Sequence, residues 1–217
     1  MVINNDKQKA IFIHIPKCGG ISIEHTLYDA LSPTDVLFDD MKVIQAKPNY
    51  ERYENLSPHS FLPDYRRYYG TEGIKDFFVF SFVRNPWRRM VSHYEYLVID
   101  INWHKKVGDN DKLSFSEFLQ VYESDIIPWT VLNYDQYLYD HRSVINFVGK
   151  LENIDEDMKK IGEKINLDLS NVLHMNKTKE KIKLYSDWKD YYNPWAKDKV
   201  YQMWKKDIEK YGYEFEE

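Results

Sequence analysis

The order of apolar and polar residues predicts strands that alternate with helices along the chain. Residues 10–15, AIFIHI, form a short apolar run of the kind found in strands buried on both faces. Ile23, Leu27 and Leu31 then recur every four residues, which is one stripe of a helix. A second apolar run at 76–83, DFFVFSFV, predicts another central strand. The first part of the chain therefore has the strand, helix, strand order of an α/β protein.

Further helices are predicted from capping residues. Asn85 is a good N-cap and Pro86 a good first helical residue, so a helix is expected directly after the second strand. Ser114 and Glu117 form a capping box that opens a short helix through Tyr122. The buried stripe expected for the helix after Asn85 consists of Trp87, Met90, Val91, Tyr94 and Leu97.

The last third of the chain continues the alternation. Residues 144–148 predict a third strand. Asn193 and Pro194 mark the start of a final helix that stops at Gly212. An amphipathic helix between these two elements is predicted from the spacing of Ile154, Met158, Ile161 and Ile165.

These elements predict one α/β domain over residues 1–217, with a central, mainly parallel sheet flanked by helices. A chain of 217 residues that is 43% hydrophobic can bury one substantial core, and its length requires no second domain. Residues 32–58 carry scattered prolines and are expected to form a loop with a short strand near 43–45, with acceptor recognition or a plain surface connection as its role.

Composition narrows the class of partner and the compartment. The 30 Lys and Arg against 35 Asp and Glu give a net charge of −5, which argues against a nucleic-acid partner. The single cysteine, Cys18, permits no intramolecular disulfide. No apolar run has the length of a membrane span and no apolar segment precedes the first strand, so a soluble, cytoplasmic protein is expected.

The loop from Pro16 to Ser22 has the features of an anion cradle. Gly19 and Gly20 at a strand-to-helix turn let the backbone approach a ligand closely, and the first N–H groups of the helix point at whatever anion lies there. Lys17 adds a full positive charge. A plain turn with a solvated lysine is the alternative. The loop lacks the G-x-x-x-x-G-K-[ST] spacing of ATP-binding P-loops, which argues against an ordinary ATP-dependent kinase.

The sequence from Ile13 to Ser22, IHIPKCGGIS, resembles the 5′-phosphosulfate loop of sulfotransferases, commonly I-P-K-T-G-G-T-S. The resemblance is strongest to the carbohydrate branch that contains the heparan 2-O and chondroitin 4-O enzymes. Cys18 and Ile21 stand where threonines are usual. Residues 84–94, RNPWRRMVSHY, resemble the family's 3′-phosphate motif R-N-P-W-D-R-L-V-S-x-Y, with Arg88 in place of an acidic residue.

Three weaker matches extend the resemblance over most of the chain. Residues 149–153 resemble the family's G-R-F-E-N element, residues 174–177 its P-H-x-N segment, and residues 206–213 its closing D-I-E-x-F-G-Y. The resemblance implies a P-loop-like sulfotransferase fold. It also implies 3′-phosphoadenosine 5′-phosphosulfate (PAPS) as donor, 3′-phosphoadenosine 5′-phosphate (PAP) as product, no metal, and a hydroxyl acceptor on a glycan or other small molecule.

The resemblance also implies roles for individual residues. His59, followed by Ser60 as in the family's short K-H-S-like stretch, is the expected general base, although a lone histidine is more often structural. Lys17 is the expected catalytic cation. The residues expected to bind the donor are Lys17, Cys18, Gly19, Gly20, Ile21 and Ser22 at the 5′-phosphosulfate, Arg84 and Ser92 at the 3′-phosphate, and Asn176 and Lys177 in a loop over the nucleotide.

Two other functions remain open at this point. A nucleotide-dependent phosphotransferase could use the same cradle for ATP, and a module that binds PAPS or PAP without catalysis could use both anion motifs without His59. Arg66 and Arg67 could attract an anionic glycan or could be ordinary surface charge.

Overall fold

The computed structural model describes residues 1–31, 37–38, 50–51, 56–57, 59–100, 113–122, 132–139, 144–175 and 184–216. The chain forms two compact units. The first unit contains Met1–Val83 and Tyr134–Met175, and the second contains Arg84–Asn133 and Asn176–Glu217.

The first unit is built on a six-stranded sheet. Its strands are β1 (Val2–Asn4), β2 (Lys9–Ile13), β3 (Leu37–Phe38), β4 (Tyr50–Glu51), β5 (Phe78–Val83) and β6 (Ile145–Lys150). The order across the sheet is β4-β3-β1-β2-β5-β6. The pairs β2 with β5, β5 with β6 and β3 with β4 are parallel, whereas β1 is antiparallel to both β2 and β3. The prediction of a mainly parallel sheet in an α/β fold is confirmed.

Within the described ranges of this unit, four helices accompany the sheet: α1 (Gly20–Ala30), α2 (Leu62–Gly73), α5 (Tyr134–Leu138) and α6 (Ile154–Ile165). Short 3-10 turns at Ile74–Asp76 and Leu151–Asn153 precede β5 and α6. The apolar stripes of α1 and α6 pack with one face of the central strands. The buried cluster on that face includes Phe12, Phe80, Phe82, Ile23, Leu27, Ile154, Met158, Ile161 and Ile165.

The second unit is helical. It contains α3 (Pro86–Tyr94), a π-helical continuation at Glu95–Asp100, α4 (Phe115–Tyr122) and α7 (Pro194–Tyr211). A 3-10 turn at Trp188–Tyr191 precedes α7. The predicted stripe of α3 is confirmed, since Trp87, Met90, Val91, Tyr94 and Leu97 are all buried.

The predicted helix starts are also confirmed. The Asn85 side chain accepts hydrogen bonds from the backbone N–H groups of Trp87 at 3.1 Å and Arg88 at 3.3 Å. Asn193 accepts from the Ala196 N–H at 2.8 Å. The capping box of α4 forms as expected, with Ser114 N–H donating to the Glu117 carboxylate at 2.7 Å and Glu117 N–H to the Ser114 hydroxyl at 3.3 Å.

The strand β1 at the amino terminus was not predicted from the sequence. Val2 and Ile3 are each 1% exposed, in a strand that pairs with β2. Asn5 closes the connecting turn, because its side-chain oxygen accepts from the N–H groups of Lys7 at 2.9 Å and Gln8 at 2.6 Å. Three residues are too few for a periodic signal, so pairing with β2 and β3 defines this strand.

The loop expected at 32–58 contains β3 and β4 among its described residues, and the strand expected near 43–45 lies outside those residues. Helices α2 and α5 were not predicted. No helix within the described ranges is long and apolar enough to cross a membrane.

Candidate functional site

The loop after β2 forms an uncapped helix start. Strand β2 ends at Ile13 and α1 begins at Gly20. The N-cap residue Gly19 has φ +81° in the left-handed region, and no side chain caps the helix. The N–H groups of the first turn of a helix have no acceptor within it and lie at its positive end. This helix start therefore has backbone N–H donors that no side chain caps, and the prediction that they bind an anion stays a prediction.

Both glycines of this loop lie against neighbouring side chains, and Gly19 also has a left-handed backbone conformation. A Cβ on Gly20 would overlap the imidazole ring of His14. A Cβ on Gly19 would overlap the side chain of Leu151, in a backbone conformation that already disfavours one. The loop therefore keeps its shape only with glycine at both positions.

Lys17 and Cys18 differ in their exposure. Lys17 is half-buried and has φ +64°, an uncommon conformation for a residue with a side chain. Cys18 is 1% exposed, and its N–H donates to the Ile15 carbonyl at 3.3 Å. The Cys18 side chain therefore lies in the interior of the unit, and Lys17 is the residue of the pair that reaches the surface of the loop.

The Ser22 hydroxyl bonds to the protein backbone. It donates to the Met175 carbonyl at 3.1 Å, and the Met175 N–H donates back to it at 3.0 Å. One turn further along α1, the Thr26 hydroxyl accepts from the Leu173 N–H at 2.9 Å and donates to the Ser22 carbonyl at 2.8 Å. Two hydroxyls therefore hold the backbone of residues 173–175 along α1. Met175 directly precedes Asn176 and Lys177, which lie outside the described residues.

His59 is held by a tight turn. The Ser60 N–H donates to the Ser57 carbonyl at 3.0 Å, and the Ser57 N–H donates to the Ser60 hydroxyl at 2.7 Å. The Nδ1 atom of His59 lies 3.3 Å from the backbone carbonyl oxygen of His14. Because a carbonyl only accepts, Nδ1 carries the proton and the lone pair of the neutral ring is on Nε2.

The surroundings of His59 keep its ring neutral. Burial and, next in size, the charge of the neighbouring His14 ring lower the pKa of His59 to about 4. The two rings meet edge to face, with their centroids 4.6 Å apart. At neutral pH, Nε2 of His59 can therefore accept a proton, which is the property that a general base requires.

A buried ion pair beneath the loop was missed by the sequence analysis. Nδ1 of His14 lies 2.9 Å from Oε1 of Glu24, and the two residues are 5% and 1% exposed. Burial alone raises the pKa of Glu24, but the charge and hydrogen bond of His14 bring it below its usual value. Two features of the sequence could have indicated this pair. His14 interrupts the apolar run at 10–15, and Glu24 directly follows Ile23 of the apolar stripe of α1.

The second predicted anion motif lies in the second unit. Arg84 follows β5 directly and is half-buried, and Ser92 is half-buried at the end of the second turn of α3. Asn85, 0% exposed, caps α3 and donates from Nδ2 to the Glu214 carbonyl at 2.8 Å. Arg88 lies over the ring of Trp188, 5.7 Å from its centroid. The motif thus combines a capped helix with a strand-end arginine.

Comparison with known proteins identifies the family. The model of the sulfotransferase family matches residues 1–214. Since this match spans nearly the whole sequence, the chain belongs to the sulfotransferase family.

Two particular proteins are similar to this chain. An uncharacterized protein of Archaeoglobus fulgidus is 36% identical over 101 residues, which are 45% of this chain and 75% of that protein. The crystal structure of mouse sulfotransferase SULT7A1 complexed with PAP matches with a TM-score of 0.56 and 11% identity, over 95% of this chain and 86% of the mouse chain. This likeness confirms the predicted P-loop-like α/β fold.

Proposed function

We propose that this protein transfers a sulfuryl group from PAPS to a hydroxyl group of a carbohydrate and releases PAP. One observation carries the proposal. In the first unit, the open amino end of α1 and Lys17 lie in one short loop, and the neutral His59 contacts His14, whose ring packs against Gly20 of that loop. An anion cradle next to a base meets the needs of sulfuryl transfer to an alcohol.

The residues of the loop fit a 5′-phosphosulfate. The N–H groups of Gly19, Gly20, Ile21 and Ser22 belong to the first turn of α1 or its N-cap, where an anion is favoured by both donors and dipole. The Cys18 side chain is buried and its N–H donates to the Ile15 carbonyl, so the proposal keeps Cys18 among the donor-binding residues on the resemblance alone. Lys17 supplies the full positive charge that a doubly anionic group requires.

The 3′-phosphate is assigned to Arg84 and Ser92. A guanidinium can hold two phosphate oxygens at once, and a hydroxyl adds a third donor. This pair would distinguish PAPS from ATP, which lacks a 3′-phosphate. The proposal retains Asn176 and Lys177 as further donor contacts on the resemblance alone. The match of the family model to residues 1–214 supports a single sulfotransferase domain.

In the reaction, Nε2 of His59 accepts the proton of the attacking hydroxyl. PAPS supplies the sulfuryl group already bonded to a good leaving group. Lys17 and the amides of α1 stabilise the negative charge that develops on the leaving phosphate. The carbohydrate acceptor rests on the resemblance to the heparan 2-O and chondroitin 4-O enzymes, and the scheme requires no metal.

The test begins with calorimetry of the full chain, which compares PAP with AMP and with ATP plus magnesium. We expect PAP to bind about tenfold more tightly than AMP or better, since each charged hydrogen bond contributes about 1.5–3 kcal/mol. Arg84→Ala should lower the affinity for PAP to the level of the affinity for AMP. Arg67→Ala is the matched control, because Arg67 is exposed on α2 and pairs with Asp64 at 3.3 Å.

Turnover is then measured with labelled PAPS and a panel of glycans. His59→Ala should suppress transfer while PAP affinity stays near that of the unchanged protein. Preference for magnesium-ATP would overturn the proposal in favour of a phosphotransferase. Tight PAP binding without transfer to any acceptor would instead indicate a binding module.

A further inference from the structure

The buried pair of His14 and Glu24 has no part in the proposed chemistry, yet it touches each component of the first unit's site. Nδ1 of His14 bonds to Glu24 at 2.9 Å, its ring stacks on Phe12 with centroids 5.8 Å apart, and the ring fills the space beside Gly20. Its ring and its carbonyl oxygen both contact His59. One residue thus joins the helix, the loop and the base.

We infer that His14, held in place by its hydrogen bond to Glu24, is the positioning residue that sets the tautomer and orientation of His59. This inference rests on the proposed function, in which His59 is the base. The 3.3 Å hydrogen bond from Nδ1 of His59 to the His14 carbonyl selects the Nδ1–H tautomer of His59. It also directs Nε2 of His59 away from that carbonyl. The ring of His14 supports the His59 ring from its edge.

Glu24 is the part of this arrangement that a purely apolar core would not contain. Its carboxylate is ionised, since its pKa is lowered, and an ionised carboxylate only accepts, so the proton of the pair lies on Nδ1 of His14. The second oxygen, Oε2, has no hydrogen-bond partner among the described residues. Burying such a pair carries a desolvation cost that well-packed apolar residues would avoid. A role in setting the geometry of His14 explains why the pair is present.

Among the described residues, the charged groups that act on the pKa of His59 are His14 directly after β2, Glu24 on α1 and the amino group of Met1 just before β1. Burial and the charge of His14 lower the pKa of His59, while Glu24 and the bond to the His14 carbonyl raise it. Removing the His14 ring takes away a lowering charge and part of the burial, so the pKa of His59 should rise.

The first experiment measures the pKa of His59 directly, by NMR titration of the seven histidine rings. The variant His59→Gln identifies the His59 signal by its loss. In the unchanged protein the His59 pKa should lie near 4. In His14→Asn, where the amide can still donate to Glu24, it should move upward by about one unit or more, toward the ordinary 6.5. His25→Asn is the control. His25 lies on α1 next to Glu24, and its replacement should leave the His59 signal unchanged.

The second experiment measures kcat and KM for PAPS across pH. His14→Asn should lower kcat by about 10²-fold, as expected for a misplaced reacting group, with a smaller change in KM. The acid limb of its rate profile should move up with the His59 pKa. Glu24→Gln keeps a hydrogen-bond acceptor for Nδ1 of His14 and should retain most of kcat. Glu24→Leu removes that acceptor, so its kcat should fall as in His14→Asn. Asp29→Asn, exposed on α1, is the matched control.

The outcomes separate the inference from the function on which it rests. If folded His14→Asn keeps the same His59 titration and kcat, and loses only thermal stability, the pair is structural and the inference is wrong. If the unchanged protein transfers no sulfuryl group, the proposed function fails, while the NMR titration still decides whether His14 controls His59. If His14→Asn does not fold, the contrast between Glu24→Gln and Glu24→Leu decides the question.

Discussion

The two strand-to-helix junctions that carry the candidate anion-binding residues begin their helices in opposite ways. At α1 the N-cap is Gly19, in the left-handed region, with no side-chain cap. At α3 the N-cap is Asn85, whose side chain accepts from two backbone N–H groups of the first turn. The first junction leaves its donors to a ligand, and the second satisfies two of its donors internally.

This difference indicates two ways of holding an anion after a strand. An uncapped helix start offers backbone amides and its dipole, and glycine lets the ligand come close. A capped helix start has fewer amides to offer, so an anion there must be bound by side chains. We therefore propose that the 5′ group binds the backbone and Lys17 of the first junction, and that the 3′-phosphate binds the side chains of Arg84 and Ser92 in the second.

The largest effect is expected at Lys17. Lys17→Ala should lower kcat/KM by about 10²-fold or more, or about 3 kcal/mol, because a fixed positive charge no longer faces the leaving phosphate. Steady-state assays with labelled PAPS measure the loss. Lys7→Ala, in the exposed turn between β1 and β2, is the control. Full turnover by a folded Lys17→Ala protein would contradict the assignment.

A smaller effect is expected at the glycine cap. Gly19→Ala places a Cβ against Leu151 at φ +81°, so the loop must shift, and PAP affinity should fall about tenfold, as when one charged hydrogen bond is lost. Calorimetry measures this change. Gly212→Ala is a strong control, since Gly212 has φ +62° and its added Cβ meets nothing within 4 Å. Equal PAP affinities in the two variants would refute the special role of Gly19.

The smallest effect is expected at Asn85, the N-cap of α3. Asn85→Ala should lower the free energy of unfolding by about 1–2 kcal/mol, since two amides of α3 lose their acceptor. Urea denaturation at a constant m-value measures it. Asn193→Ala removes the equivalent but exposed cap of α7 and should have a smaller effect. An unchanged midpoint for Asn85→Ala would show that the α3 cap is not needed.

Elements with strong local signals were predicted well from the sequence. Strands β2, β5 and β6 are apolar runs, and α3, α4 and α7 begin at residues whose side chains cap them, so short stretches of chain contain the whole signal. Elements without such signals were missed. Helix α2 has only Leu62 and Tyr65 buried, and β1 is three residues long.

The sequence by itself determined the α/β order, the glycine loop after β2 and the Asn85 cap, because each depends on residues close together in the chain. Only the tertiary structure brought Glu24, His14 and His59 into one cluster and set Met175 against Ser22. His14 and His59, 45 positions apart, meet because the turn before α2 packs against the residue that follows β2. Ser22 and Met175, 153 positions apart, meet because the segment after α6 lies along α1. No local pattern records such contacts, since burial and partner are properties of the packed chain and not of the segment.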